Sequence, residues 1–254
     1  MHKTRYGALW TLASFALLLI VWQLYVSVGN VASFVLPSPV AVAQELAHQV
    51  SNGKILEQMG ITTLETLGGF IAGSILGMLV GYMVYKSSAI RATLMPFLVF
   101  FQVAPKIALV PLFIIWFGLG PLSKLFVVFS MVFFPIALGM IDGLNAIPQS
   151  MRELLQVLRA SRVQTFFKLE LPHALPQLFA SFKVGIVQAL IGATVAEWMS
   201  GQSGLGYVQT NASSTFNTPL LMVGIILTIF LGILLWELIG LAERKLCSWN
   251  EVRS

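Results

Sequence analysis

The sequence predicts an all-α integral membrane protein with six transmembrane helices and both termini on the cytoplasmic side. Of 254 residues, 57% are hydrophobic and only 10% charged, where a soluble domain carries about 25% charged residues. Apolar runs recur at about 8–26, 62–85, 92–117, 122–141, 178–198 and 219–240, and a helix needs about 20 such residues to cross a bilayer. The cations are also unevenly placed. With the N-terminus inside, the inner segments hold Lys3, Arg5, Lys86, Arg91, Arg152, Arg159, Arg162, Lys168, Arg244, Lys245 and Arg253, eleven of the 15. That positive-inside bias specifies an even number of spans. The same clustering at the ends of apolar runs explains the net charge of +5 as membrane orientation rather than nucleic-acid binding. Residues 1–254 read as a single transmembrane domain.

The first span follows a short basic head. Residues 8–26 carry no charge, and Trp10 and Trp22 stand near the two ends as interface anchors do. A cleaved signal peptide is the rival reading, but its apolar core runs only about 7–15 residues. An uncleaved span is the expectation. Residues 30–60 do not read as a span. Pro37 and Pro39 push the residues before them out of the helical region. Ser38 or Pro39 then opens an amphipathic helix through Val40, Ala43, Leu46, Ala47 and Val50, ended by Asn52-Gly53. This helix is placed at the outer face, with His48 solvated.

In the second span Gly69, Gly73, Gly77 and Gly81 recur every four residues. They share one helix face and let a second helix approach closely. Glu65 stands one turn inside the outer end and must face protein or water. The third segment, 92–120, is punctuated by Pro96, Pro105 and Pro111, with Lys106 near its middle. A buried ammonium costs ~2.5–3.5 kcal/mol on insertion scales, so Lys106 is expected at an inner cavity or a helix break. The fourth span carries Lys124 at its outer end and Pro135 inside. The fifth carries Lys183 and, near its outer end, Glu197. A loop with Gly201, Gly204, Gly206 and Tyr207 leads to the sixth span, and Glu243, Arg244 and Lys245 open the inner tail.

Residues 142–176 form a polar island between two spans. They hold Arg152, Arg159, Arg162 and Lys168 with Asp142, Glu153 and Glu170. Leu154, Leu155, Leu158 and Val163 fall at roughly helical spacing. Pro172 and Pro176 are expected to stop any helix begun upstream. The expectation is two short helices along the cytoplasmic face. A plain solvated loop has no need of Leu154, Leu155, Phe166 and Phe167, so the island reads as a docking surface.

At this loop the chain resembles the permeases of ATP-binding-cassette importers, whose cytoplasmic loop is written E-A-A-x3-G-x9-I-x-L-P. Glu153, Leu169, Leu171 and Pro172 hold the Glu, Ile, Leu and Pro places; Leu154 and Leu155 replace the alanines, and Arg159 replaces the glycine. The third segment is similar to the pattern P-x-x-A-x-x-P-L-x-x-x-W-F-G-x-G of the nitrate, taurine and sulfonate type, which also serves pyrimidine and vitamin precursors. Pro105, Ala108, Pro111, Leu112, Trp116, Phe117, Gly118 and Gly120 match. Ala196, Glu197, Gly204, Leu205, Gly206 and Tyr207 match the family's Ala-Glu and Gly-Leu-Gly-Tyr turn. The resemblance covers about residues 36–245.

The resemblance implies a type I importer permease fold and a loop that couples to an ATPase subunit through Glu153, Leu154, Leu155, Leu158, Arg159, Ala160, Ser161 and Pro172. An arginine at a glycine place meets strain if that place needs positive φ. It further implies a second copy of the chain, two ATPase subunits carrying ATP and Mg, a soluble substrate-binding protein, a bacterial inner membrane, and alternating access to a small solute. Lys106 with Pro105, Glu65 and Glu197 are the candidates for lining the pathway, Lys106 favouring an anion.

The chain has no G-x-x-x-x-G-K-[ST] loop, no metal-ligand spacing and no Ser/His/Asp set, and its one cysteine, Cys247, excludes a disulfide framework. It reads as a non-enzymatic transport subunit that binds no cofactor directly. A stand-alone solute or ion channel is the alternative, and a membrane-embedded enzyme ranks below it for want of a catalytic set.

Overall fold

The computed structural model describes residues 3–247, and within them the chain is helical throughout, with no strand. The helices are α1 (Lys3–Val28), α2 (Pro39–Ser51), α3 (Lys54–Lys86), α4 (Ser88–Val103), α5 (Val110–Phe117), α6 (Pro121–Asn145), α7 (Gln149–Val157), α8 (Arg162–Thr165), α9 (Leu171–Ser200), α10 (Leu205–Ser214) and α11 (Thr218–Leu246). Four helical stretches are long and apolar enough to cross a membrane: α3, α6, α8 continued through α9, and α11. The third expected span is not one straight helix. Its two halves, α4 and the stretch Lys106–Phe117, meet at 90°. Counted as one span, they make five among the described residues. A shorter apolar helical stretch, Ala13–Val28, lies in α1.

The bend has a local cause. Pro105 forces Ala104 into an extended conformation, with φ −56 and ψ 138. A single 3₁₀ turn, Lys106–Leu109, restarts the helix at right angles. Gly118, at φ 79, then ends α5 in backbone geometry that disfavours a side chain.

α6 is the centre of the bundle, packed by α3 on one side and α9 on another. Val127, Val128, Val132, Ile136, Ala137, Ile141 and Leu144 along it are wholly buried. The glycine row of α3 lies against α6. A methyl group at Gly77 would stand 2.7 Å from the carbonyl oxygen of Phe133, and one at Gly81 2.6 Å from that of Ala137. Backbone therefore meets backbone along this seam, as the four-residue spacing predicts.

At the head of α2, Ser38 accepts a hydrogen bond from the Ala41 N–H at 3.2 Å, and Pro39 takes the first turn. There the proline's missing donor costs nothing.

The expectation that Pro172 and Pro176 end the loop helix is not met. α8 runs into a π turn, Phe166–Glu170, closed by the Leu171 N–H on the Phe166 carbonyl, and that turn feeds directly into α9. Pro172 falls in the first turn of α9. Pro176 sits inside the helix and removes one backbone bond, a loss the surrounding packing tolerates. The second loop helix is thus the start of the long apolar stretch Arg162–Ser200.

Candidate functional site

The loop between α6 and α9 presents apolar side chains to solvent. α7 is a nine-residue amphipathic helix. Leu154, Val157 and Leu158 are 58%, 80% and 65% exposed, and Val163 and Phe167 beyond them are equally open. Leu155, expected on this surface, turns inward instead and packs on the core cluster that includes Leu144 and Ile147. Helical geometry separates it from Leu154 by about 100°. Glu153 is exposed and accepts a hydrogen bond from Gln149 at 3.2 Å.

After α7 the chain turns through Arg159, whose φ is 48. The left-handed turn of the glycine place is kept, with an arginine in it. Such a residue costs roughly 1–2 kcal/mol over glycine. Ala160 is half-buried, and Ser161 opens α8 with a capping box: its hydroxyl accepts from the Gln164 N–H at 3.2 Å while its own N–H donates to Gln164 Oε1 at 2.8 Å. Pro172 lies 11 residues on, half-buried at the α9 start.

Beneath the loop, the last turn of α3 forms a second cluster. Lys86 pairs with Glu170 at 2.6 Å, and the Tyr82 hydroxyl donates to the other Glu170 oxygen at 3.1 Å. The Lys86 ammonium stands 5.3 Å from the Tyr82 ring and 5.6 Å from the Tyr85 ring. Arg152 of α7 stacks 5.4 Å over Tyr85 and donates to the Leu144 carbonyl at 2.9 Å. The sequence shows Lys86, Arg152 and Glu170 as charges but not their assembly with Tyr82 and Tyr85, because Lys86 and Glu170 are separated by 84 residues.

Toward the far end of α3 lies a sealed polar network. Glu65 and Lys124 pair at 2.8 Å with side chains only 8% and 3% exposed. Lys124, in the first turn of α6 as expected of a span end, is thus buried. It also reaches the carbonyl and hydroxyl of Ser203, both at 3.4 Å. Glu197 is wholly buried. One of its oxygens accepts from Thr62 at 2.7 Å and the other from the Gly206 N–H at 2.6 Å. Thr62 in turn accepts from the Leu205 N–H at 2.8 Å, and Gln58 from the Gly204 N–H at 2.7 Å.

Three successive N–H groups at the start of α10 are thereby capped, two by neutral oxygens and one by a carboxylate, which also suits the helix dipole. This explains the Gly-Leu-Gly sequence. Gly204 has φ 99 and leaves no room for a side chain beside the Glu197 carboxylate, while a methyl at Gly206 would lie 2.5 Å from the Thr194 carbonyl oxygen.

Among the described residues, neither Glu65 nor Glu197 makes a hydrogen bond or ion pair with Lys106. Lys106 is half-buried at the 90° break. It donates to the Gln102 carbonyl at 2.9 Å and stands 5.5 Å from the Phe134 ring, with no ion pair among the described residues. Pro105, which makes the break, is exposed. Sequence reading also missed Glu237, the lone charge in residues 219–240, exposed on α11. It borders an apolar groove of about 940 Å³ between α9, α10 and α11. Its signal was available: a single carboxylate inside a span.

Comparison with known proteins agrees with this architecture. Residues 73–246 match the family model described as binding-protein-dependent transport system inner membrane component. The riboflavin transport system permease protein RibX of Chloroflexus aurantiacus is 32% identical over 98% of this chain and 93% of its own. The putative aliphatic sulfonates transport permease protein SsuC of Bacillus subtilis is 30% identical over 98% and 90%. A chain from the MetNI methionine ABC transporter in an inward-facing conformation superposes with a TM-score of 0.67, covering 75% of this chain and 95% of that one, at 18% identity.

Proposed function

The chain belongs to the family of binding-protein-dependent transport system inner membrane components, and from that premise we propose that it is the permease subunit of an ATP-driven importer for a small, anionic solute. It sits in a bacterial inner membrane with six spans, α1 being the first and the bent α4–α5 pair the third, and with both termini inside. Two copies form the pathway between them. Two ATPase subunits, which carry the ATP and Mg, dock on the two loops, and a soluble binding protein delivers the solute outside. The observation that carries this reading is the row Leu154, Val157, Leu158, Val163 and Phe167, exposed on a loop between spans. Such a patch marks a contact with another protein. Glu153, Arg159, Ala160 and Ser161 frame it.

Alternating access follows if ATP binding closes the ATPases and carries the loops with them. Nucleotide drives the change only through different affinity for the two states. That the solute is small is drawn from the relatives, which are named for riboflavin, aliphatic sulfonates and formylaminopyrimidine, and in Escherichia coli for taurine; that it is anionic rests on Lys106 alone. Lys106 at its break is the cation available to an anion in transit.

The test is reconstitution with an ATPase subunit and a soluble binding protein of the same organism. Uptake of taurine, an alkanesulfonate, nitrate, riboflavin and a formylaminopyrimidine is measured with and without ATP. The importer reading expects uptake that needs both ATP and the binding protein. Flux independent of both would establish the channel instead. Lys106→Met should sharply cut uptake of an anionic solute and leave assembly intact.

A further inference from the structure

The inner end of α3 is held from two sides. On one side Glu170, 4% exposed, lies in the π turn that opens α9 and receives both the Lys86 ammonium and the Tyr82 hydroxyl. A π turn shifts side chains off the ordinary helical register, and such turns concentrate at working sites. Here it accompanies a Glu170 carboxylate facing the bundle, beside Leu169, while Phe167 faces out. Phe166 stacks edge-on against Tyr82 at 5.2 Å. On the other side Arg152 brings α7 on to Tyr85 and the end of α6. Lys86 lies between, over both tyrosine rings. The chain of contacts thus runs Glu170, Lys86, Tyr85, Arg152, and it joins α9, α3 and α7 within one turn of α3.

We propose that Glu170 is a positioning residue for coupling: by gripping Lys86 and Tyr82 it makes the inner end of α3 move as one body with the loop helix α7. This rests on the importer reading above. The physical argument concerns what happens without it. The Lys86 side chain is 45% exposed, so an ammonium freed of its carboxylate turns to water. The two tyrosine rings then lose the cation that spans them, and the seat under Arg152 loosens. The apolar docking row itself is untouched, so the ATPase still binds, but its movement reaches α7 without reaching α3.

The experiment uses the whole complex with its ATPase subunits. Spin labels are placed at Gln156 on α7 and Met83 on α3, both exposed and both outside the clamp. Distances are read without nucleotide and after trapping with Mg-ATP and vanadate. The wild type should give one narrow distribution, the same in both states. In Glu170→Gln the ratio of clamped to released loop should fall about tenfold, the scale of one hydrogen bond to a charged group, with the ATPase still co-purifying. Lys86→Gln, at a partly solvated position, repeats the test if Glu170→Gln does not accumulate. A narrow, unchanged distribution in these single variants overturns the proposal. So does a lowered Tm with unchanged distances, which is the signature of a merely structural pair. A wild type that retains no ATPase overturns the importer reading, and the coupling role with it.

Discussion

Two ion pairs of the same chemistry lie 21 residues apart along α3, and their surroundings give them different work. Glu65–Lys124, at the end of α3 away from the loop, is sealed: both side chains are under one-tenth exposed, and the neighbouring Glu197, Thr62 and Gln58 spend their oxygens on the α10 start. Lys86–Glu170, at the loop end, buries its acid and leaves its base 45% exposed. Twenty-one residues of helix span about 32 Å, close to the thickness of a bilayer core. One end of the helix is therefore locked to its neighbours by groups that cannot reach water. The other is held by a bond that solvent can replace. A lever needs that asymmetry: a fixed end and an end that follows its load.

The largest effect is expected at the sealed pair. Lys124→Met leaves Glu65 buried without its charge partner, a loss of about 3–5 kcal/mol. Thermal unfolding in detergent should show it, and Glu65→Leu added to Lys124→Met should recover most of the loss. If the single variant is as stable as wild type, the network is wetter than its burial indicates. Next in size is a pair of substitutions that separate the two faces of α7. Leu155→Asp puts a carboxylate on the core side and should cost about 2–3 kcal/mol, while Leu158→Asp should leave Tm unchanged and abolish ATPase co-purification. Equal Tm values for the two would mean that the inward turn of Leu155 is wrong.

Smaller is Arg159→Gly, which relieves a left-handed residue and should raise stability by about 1 kcal/mol. A fall in Tm would show that the Arg159 side chain makes a contact worth more than its backbone strain. Lys86→Met, which removes an ammonium 45% exposed, should cost less than Lys124→Met, because water already screens that partner. A cost as large as that of Lys124→Met would erase the contrast between the ends.

Local chemistry made much of this legible beforehand. The apolar runs, the cation bias and the four-residue glycine spacing each act within one helix, so the helical class and the tight face of α3 could be read directly. Ser38-Pro39 and Ser161 begin helices for reasons contained in four consecutive residues. The Gly204–Tyr207 turn was visible as a motif, but its cause was not: it needs Glu197, Thr62 and Gln58, brought in by two other helices.

What was not legible shares that origin. No sequence rule shows that Lys124, in the first turn of α6, is buried against Glu65, 59 residues away. Pro105 could be recognised as a breaker, yet the 90° angle depends on how α5 packs against α6. Pro172 could be recognised too, but a π turn and the bundle around it carried the helix through. Composition and periodicity therefore determined the long apolar helices and the tight face of α3, but not α10, which lies where a loop was expected, nor the buried side of α2, which is Val42 rather than Val40 and Val50. Which charge meets which, and whether a proline ends a helix or rides in it, was decided only when the helices packed, because those energies belong to groups far apart in the chain.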